Sequence, residues 1–102
     1  MKQYVYVLRL IERLWSVEAW TAKDNAIVDE HFAYLKRLLA EGRLILAGKS
    51  AGNDVNTFGL VIFEATDDTE ARSIMANDPT VIHGIMTATL SIYHVALLRK
   101  TE

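Results

Sequence analysis

The sequence predicts an α+β domain in which four antiparallel strands and two helices follow in the order βαββαβ. The first observation is an amphipathic helical pattern that ends at Gly42 and leads directly into an apolar strand. The second is a set of three further segments rich in β-branched and aromatic residues. The third is the only proline, Pro79, which ends a short second helix. The length of 102 residues suits one domain spanning residues 1–102.

The first strand is predicted at residues 3–11, where both alternating registers are largely apolar. Two apolar faces imply that both sides of this strand are covered. Residues 12–20 are predicted as a loop at one end of the fold. Its tryptophans, Trp15 and Trp20, either cover the core or face a ligand, and the sequence leaves both readings open.

The first helix is predicted from Thr21 to Glu41, because Thr21 and Asp24 have the spacing of a capping box. Nearly all of its apolar side chains fall on one arc at about 3.6 residues per turn. That arc consists of Ile27, Val28, His31, Phe32, Tyr34, Leu35, Leu38 and Leu39. His31 stands out on this arc, because its side chain is ionisable and the others are largely apolar. Gly42 supplies a left-handed stop, and the second strand follows at residues 43–49.

The second half of the chain begins with a polar stretch at residues 50–56, which predicts a loop or hairpin connection. The third strand is predicted at residues 57–65. Gly59 within it marks a bulge or a close backbone approach.

The second helix is predicted to start at Asp67 as N-cap, with Glu70 three residues later. It ends at Asp78, since a proline disfavours helical geometry in the residue before it. A loop at residues 80–86, a long fourth strand at residues 87–99 and a tail at residues 100–102 complete the chain. This order is the split βαβ, or ferredoxin-like, arrangement with both helices on one face of the sheet.

The composition indicates which partners the domain has. Hydrophobic residues make up 51% of the chain, so a lone subunit has apolar surface to spare, and we expect a homodimer or higher homo-oligomer. A net charge of −2 without a basic stripe argues against nucleic acid. The absence of cysteine excludes disulfides and fits a cytoplasmic protein. The N-terminal stretch is too short and charged for a signal peptide or membrane span, so no membrane partner is expected.

The predicted topology brings two distant polar residues to one edge of the fold. The start of the first helix and the end of the second lie at the same edge, so His31 and Asp78 can meet although 47 positions separate them. A carboxylate that accepts from one imidazole nitrogen fixes the tautomer and makes the other nitrogen a better proton acceptor. Such a pair can act as a general base. It can equally be a buried hydrogen bond that locks the helices together, and the spacing does not decide between the two.

The chain resembles the YCII-related, or YciI-like, domain family over nearly its whole length, from Tyr4 to about Leu98. The resemblance is carried by the histidine helix, the Ala-Gly strand end, the Asp-Pro helix end and a following glycine. These are residues 31–35, residues 42–48, residues 77–79 and Gly84. It implies a dimeric α+β barrel of ferredoxin-like subunits and an active site built on a histidine and an aspartate, which match His31 and Asp78.

Some relatives are associated with dehydrochlorination or elimination on hydroxylated aromatics, and the wider fold superfamily includes muconolactone isomerases and monooxygenases. Two positions depart from the pattern of the family. Lys49 follows Gly48 where the family often has proline, and His83 precedes Gly84 where small or apolar residues are common. Both departures change the predicted rim of the pocket, so the substrate of a relative does not carry over.

Other candidate site residues are secondary. Gly48 and Ser50 at the end of the second strand are predicted to line the pocket, and the hydroxyls of Tyr34 and Tyr93 can bind a substrate oxygen or be satisfied locally. No metal is expected, since His31, His83 and His94 share no ligand spacing. His94 is expected on a strand face, at the dimer cleft or the surface.

The sequence thus favours a small enzyme that catalyses a cofactor-free elimination or isomerisation. The expected substrate is a small cyclic or aromatic hydroxy or carbonyl compound. The alternative is a non-catalytic module that binds a small ligand in the same pocket.

Overall fold

The computed structural model describes residues 1–100 and contains four strands, three α-helices and, in the segment predicted as a loop, two short 3-10 helices at Glu12–Trp15 and Val17–Ala19. In chain order the strands and α-helices are β1 (Lys2–Leu10), α1 (Ala22–Ala40), β2 (Leu44–Lys49), β3 (Phe58–Ala65), α2 (Asp68–Ala76), α3 (Pro79–Ile82) and β4 (Met86–Ile92). The strands form one antiparallel sheet in the order β2-β3-β1-β4. The predicted α+β class and βαββαβ order are confirmed. The end of the predicted domain and tail, residues 101 and 102, lies outside the described residues.

Helix α1 begins and ends as predicted because both of its ends are capped. The Thr21 hydroxyl accepts from the Asp24 N–H at 3.2 Å, and the Asp24 carboxylate accepts from the Thr21 N–H at 2.9 Å. At the other end Gly42 has a φ of 76°, and the Arg43 N–H donates to the Leu38 carbonyl at 2.9 Å. This is a Schellman motif, which turns the chain sharply into β2.

The helices cover one face of the sheet. Alternation along β1 points Tyr4, Tyr6 and Leu8 toward them, and these side chains are buried against Leu35 of α1 and Ile74 of α2. Two residues of the predicted inner arc of α1 are an exception, and that part of the prediction is wrong. Phe32 is 54% exposed and Leu39 is 58% exposed. An apolar arc this wide exceeds what the sheet covers, so one flank of α1 overhangs an open cleft.

The segment after α2 matches the prediction at Asp78 and differs from it after Pro79. Helix α2 ends at Ala76, and Asp78 adopts extended geometry before Pro79, as the proline requires. The stretch predicted as a loop at residues 80–86 begins with the one-turn helix α3. Pro79 occupies its first position, where a missing N–H costs nothing, and Asp78 caps it by accepting from the Thr80 N–H at 3.0 Å.

Strand β4 is shorter than predicted, ending at Ile92 rather than at residue 99. Its neighbour β1 starts at Lys2, so the ladder ends with the Tyr93 N–H donating to the Gln3 carbonyl at 3.0 Å. Past that point no strand within residues 1–100 is available as a partner. The Val95 N–H bonds the Gln3 side chain at 2.8 Å, and Leu97 beyond it is 95% exposed.

Gly59 in β3 marks neither of the two predicted features, a bulge or a close backbone approach. The sheet's register shift lies in β2, between Leu44 and Leu46, and not at Gly59. An added Cβ at Gly59 would lie 3.6 Å from the Gly48 carbonyl oxygen and 3.7 Å from the Leu8 Cβ. Both are ordinary contact distances, so this backbone position tolerates a side chain.

Within residues 1–100, no helix has the length and apolar character that crossing a membrane requires.

Candidate functional site

The site is organised around the contact between α1 and the start of α3. His31, in the middle of α1, places its Nδ1 2.8 Å from Oδ1 and 2.9 Å from Oδ2 of Asp78. The juxtaposition expected from the topology is therefore present. The Asp78 side chain is completely buried, and the His31 side chain retains 11% of its exposure. A buried carboxylate facing an imidazole in this way acts as an acceptor, which places the proton on Nδ1.

Three further groups hold the Asp78 carboxylate in place. Oδ2 accepts from the Tyr6 hydroxyl at 2.7 Å, and Oδ1 accepts from both the N–H and the hydroxyl of Thr80, at 3.0 and 2.8 Å. Burial works against ionisation, but the hydrogen bonds from His31, Tyr6 and Thr80 outweigh it and lower the pKa of Asp78. Burial, with the adjacent Asp78 charge, raises the pKa of Tyr6, so its hydroxyl stays protonated and donates.

The second imidazole nitrogen of His31 is free. Nε2 has no hydrogen-bond partner among residues 1–100. No polar side-chain atom in that part of the chain is both fully buried and unpaired, so Nε2 retains contact with solvent. With the proton on Nδ1, Nε2 presents a lone pair toward that open side. The geometry is that of an oriented proton acceptor.

The open side is a cleft of about 470 Å³ between α1 and the sheet, and His31 forms part of its wall. The rest of the wall is mainly aliphatic and aromatic. Its apolar members include Leu8, Trp20, Val28, Leu35, Leu44 and Val61. Gly59 contributes no side chain to this face of β3, which keeps the cleft open above Leu8. An apolar cleft with few polar groups is typical of a site for a small ring compound.

The segment between β1 and α1 closes one end of the cleft. Arg13 makes two hydrogen bonds of 2.9 Å to the Asp24 carboxylate, which ties the segment to the start of α1. The hydrogen bonds from Arg13 and the Thr21 backbone hold the pKa of Asp24 well below its ordinary range. Trp20 and Asn53 both bond the Leu14 carbonyl, at 3.0 and 2.7 Å. These bonds make the segment a fixed end wall.

The comparisons with known proteins agree with this architecture. A model of the YCII-related domain matches residues 5–92. The chain belongs to the YCII-related domain family. A search of curated protein sequences finds no significant match to the chain.

Among solved structures, this YCII-related domain is similar to 5-chloro-2-hydroxyhydroquinone dehydrochlorinase (TftG) from Burkholderia phenoliruptrix AC1100, in complex with 2,5-dihydroxybenzoquinone. The TM-score is 0.64 at 21% sequence identity, and the match covers 90% of this chain and 93% of the other. At this identity the similarity shows a shared fold.

The other predicted site residues occupy different places in this YCII-related domain. Gly48 lines the cleft, but Tyr34, Ser50 and Tyr93 are absent from its wall. The Tyr34 hydroxyl donates to the Ile74 carbonyl at 2.7 Å, and the Ser50 hydroxyl accepts from the Phe58 N–H at 2.9 Å. Of the two tryptophans, Trp20 lines the cleft, and Trp15 donates to the Leu10 carbonyl at 3.3 Å.

The remaining histidines lie apart from His31. His83 is at the exposed end of α3, with Nε2 3.8 Å from the Glu30 carboxylate. His94 follows β4 and is exposed, rather than lying on a strand face. No group of three potential metal ligands occurs within residues 1–100.

Two residues that hold Asp78, Thr80 and Tyr6, were not predicted as part of the site. Thr80 could have been found, because an aspartate two residues before a threonine, with proline between, is a common way to cap a short helix. Tyr6 carries no such local pattern. Its hydroxyl reaches Asp78 only because β1 passes beneath the point where α1 and α3 meet.

Proposed function

We propose that this YCII-related domain is a small acid/base enzyme in which His31 is the general base and Asp78 orients it. The substrate is a small cyclic or aromatic hydroxy or carbonyl compound, and the reaction is a cofactor-free elimination or isomerisation. The observation that carries the proposal is the asymmetry of the imidazole. Nδ1 is fixed by a fully buried carboxylate, whereas Nε2 is unpaired beside an apolar cleft.

The reaction begins with removal of a proton by Nε2 from a ring hydroxyl or from a carbon next to a carbonyl. The Asp78 carboxylate stabilises the imidazolium that forms, because it lies within 2.9 Å of Nδ1. In an isomerisation the same proton returns to another carbon. In an elimination the electron pair of the broken bond moves through the ring and expels an anionic leaving group. Loss of a proton and a halide from a hydroxylated ring requires no external oxidant.

The structural neighbour supports this class of substrate. It is a dehydrochlorinase of a chlorinated hydroxyhydroquinone and binds 2,5-dihydroxybenzoquinone. A six-membered ring with oxygen substituents suits a cleft of about 470 Å³ with apolar walls and one free imidazole nitrogen.

The test is turnover of a panel of halogenated and non-halogenated hydroxyaromatics, starting with 5-chloro-2-hydroxyhydroquinone and measured by chloride release and ring absorbance. His31→Gln should lower the rate by about 10²–10⁴-fold, the usual contribution of a positioned base. His83→Gln is the matched control, since it removes an exposed histidine that does not line the cleft. Equal rates for both variants and the wild type would exclude His31 as the base.

The alternative is a binding module without turnover, which the scarcity of polar groups in the cleft favours. In that case a panel compound raises the melting temperature and is recovered unchanged. Gly59→Val, which adds a branched side chain to the cleft at a position with room for its Cβ, should abolish that stabilisation.

We also propose that the protein is a homodimer formed through the sheet face opposite the helices. On that face Val7 and Leu60 are half-buried, whereas Val5 and Ile62 beside them are already buried within the subunit. Pairing of two such faces would bury the apolar surface that Val7 and Leu60 leave exposed. Light scattering coupled to size exclusion should give a mass of about two subunits, and Leu60→Lys should reduce it to one.

The cytoplasmic location and the lack of a nucleic-acid partner remain predictions from the composition.

A further inference from the structure

The charged residues that line the cleft are all basic. Lys36 of α1 and Lys49 of β2 belong to its wall together with His31, and no aspartate or glutamate does. The chain as a whole carries a net charge of −2, so this distribution is not a consequence of overall composition. Two cations beside apolar walls create a local field that attracts anions, because low-dielectric walls focus it.

The two lysines of the cleft wall belong to different elements, Lys36 to α1 and Lys49 to β2. The Lys49 ammonium is fixed at the end of β2 by the carbonyl oxygens of Ser50 and Gly52, at 3.0 and 2.9 Å. One of its three donors is therefore unused. Lys36 makes no hydrogen bond or ion pair with any residue in the range 1–100. It lies five residues after His31 on α1, an offset of about 7.5 Å along the helix axis.

We infer that the cleft selects an anionic ring compound, whose carboxylate or ionised hydroxyl oxygen binds Lys36 and Lys49. The ring then lies against the apolar wall, with its reacting edge toward His31. The inference rests on the proposed function and adds to it the charge of the substrate. A negative oxygen on the ring also supplies the electron density that an elimination pushes toward the leaving group. Lys36 and Lys49 are thus residues that determine specificity.

The first experiment compares two probes that differ in charge and hardly in shape, 2,5-dihydroxybenzoate and 2,5-dihydroxybenzamide. Binding to the wild-type protein is measured by calorimetry and by NMR shifts of the Trp20 indole. We expect the carboxylate to bind about tenfold more tightly, because each partly exposed ion pair contributes up to about fivefold. Raising the salt concentration should reduce this preference. Equal affinities, or no saturable binding of either probe at millimolar concentration, would overturn the inference.

The second experiment removes the cations one at a time. Lys36→Gln and Lys49→Gln should each weaken binding of the carboxylate probe by about three- to fivefold and leave binding of the carboxamide probe unchanged. Lys23→Gln is the matched control, since it makes the same charge change on α1 at an exposed position that does not line the cleft. If Lys23→Gln weakens binding of the carboxylate probe as much as Lys36→Gln does, the effect comes from net charge alone and the inference fails.

The outcomes also separate this inference from the proposed function. The carboxylate preference should persist in His31→Gln protein, where turnover is lost, because binding does not require the base. A clear carboxylate preference without turnover of any compound would support the inference and argue against the enzyme. Efficient turnover of neutral and anionic substrates alike would support the enzyme and refute the inference.

Discussion

Replacing Asp78 by asparagine distinguishes a catalytic His31 from a structural one. Asparagine keeps the shape of the side chain but puts an N–H₂ donor where one carboxylate oxygen was. The two Thr80 bonds to Oδ1 can persist on the amide oxygen. The Tyr6 hydroxyl, now 2.7 Å from a donor, can rotate to accept. His31 Nδ1 lies 2.9 Å from the new amide nitrogen and 2.8 Å from the amide oxygen, and the two Thr80 bonds already occupy that oxygen. We therefore expect Nδ1 to accept from the amide nitrogen, which moves the imidazole proton to Nε2.

The cost in stability follows from the same contacts. Every polar group keeps a partner, but four hydrogen bonds lose their ionic character, roughly 1 kcal/mol each. Removal of a buried charge offsets much of this loss. The pKa of Asp78 is lowered despite burial, so the balance favours the carboxylate. We expect a net destabilisation of about 1–2 kcal/mol, or roughly 4–16 °C in melting temperature for a domain of this size.

The cost in activity is much larger, because a protonated Nε2 cannot accept a proton from the substrate. Turnover should fall by about 10²–10⁴-fold while the protein remains folded. Thermal unfolding followed by circular dichroism measures the first effect. Nitrogen-15 NMR of the imidazole measures the tautomer directly, with the proton on Nδ1 in the wild type and on Nε2 in the variant. Turnover within tenfold of the wild type, with a switched tautomer, would refute this account of His31.

Three further changes test other parts of the structure. Tyr6→Phe removes one donor to Asp78 and should destabilise the protein by about 1.5–3 kcal/mol, with turnover reduced no more than about tenfold, as urea unfolding and rate assays would show. Gly59→Val should leave the melting temperature nearly unchanged yet weaken ring-compound binding in calorimetry. The lowered pKa of Asp24 means that its stabilisation is complete above the unfolded pKa of about 3.9 and is lost as the pH falls through the folded value. Arg13→Gln should therefore move the acid-unfolding midpoint to higher pH.

Much of the fold could be predicted because its decisive features are local in sequence. The Thr21 and Asp24 capping box, the Gly42 stop and Pro79 each determine the backbone within a few residues. The length of β4 could not be predicted in this way. Its residues after Ile92 have strand-forming composition, but β1 offers them no further partner. Strand length depends on the neighbouring strand as well as on the residues of the strand itself.

The His31–Asp78 contact could be predicted because the topology packs α1 beside the end of the second predicted helix, although His31 lies in the middle of α1 and not at its start. Most of the side chains that line the predicted pocket beside it could not. A helical wheel shows that Phe32 and Leu39 are apolar but not that the sheet leaves them uncovered. Likewise, the sequence predicts a bulge or a close backbone approach at Gly59, whereas the effect of this glycine is to leave the cleft open above Leu8. Cavities depend on which side chains are missing at a shared face, and that information is spread across several elements.

The position of Asp78 explains how one residue can support both the fold and the proposed chemistry. Its backbone starts α3, and its carboxylate receives donors from β1, α1 and α3. Any movement of α1 relative to the sheet would therefore lengthen a charge-assisted hydrogen bond. The imidazole is held from the buried side, and the opposite side of the ring stays free for a ligand. A purely structural histidine would gain nothing from leaving Nε2 unpaired beside an open cleft, which is why the orientation of the ring favours a role in chemistry.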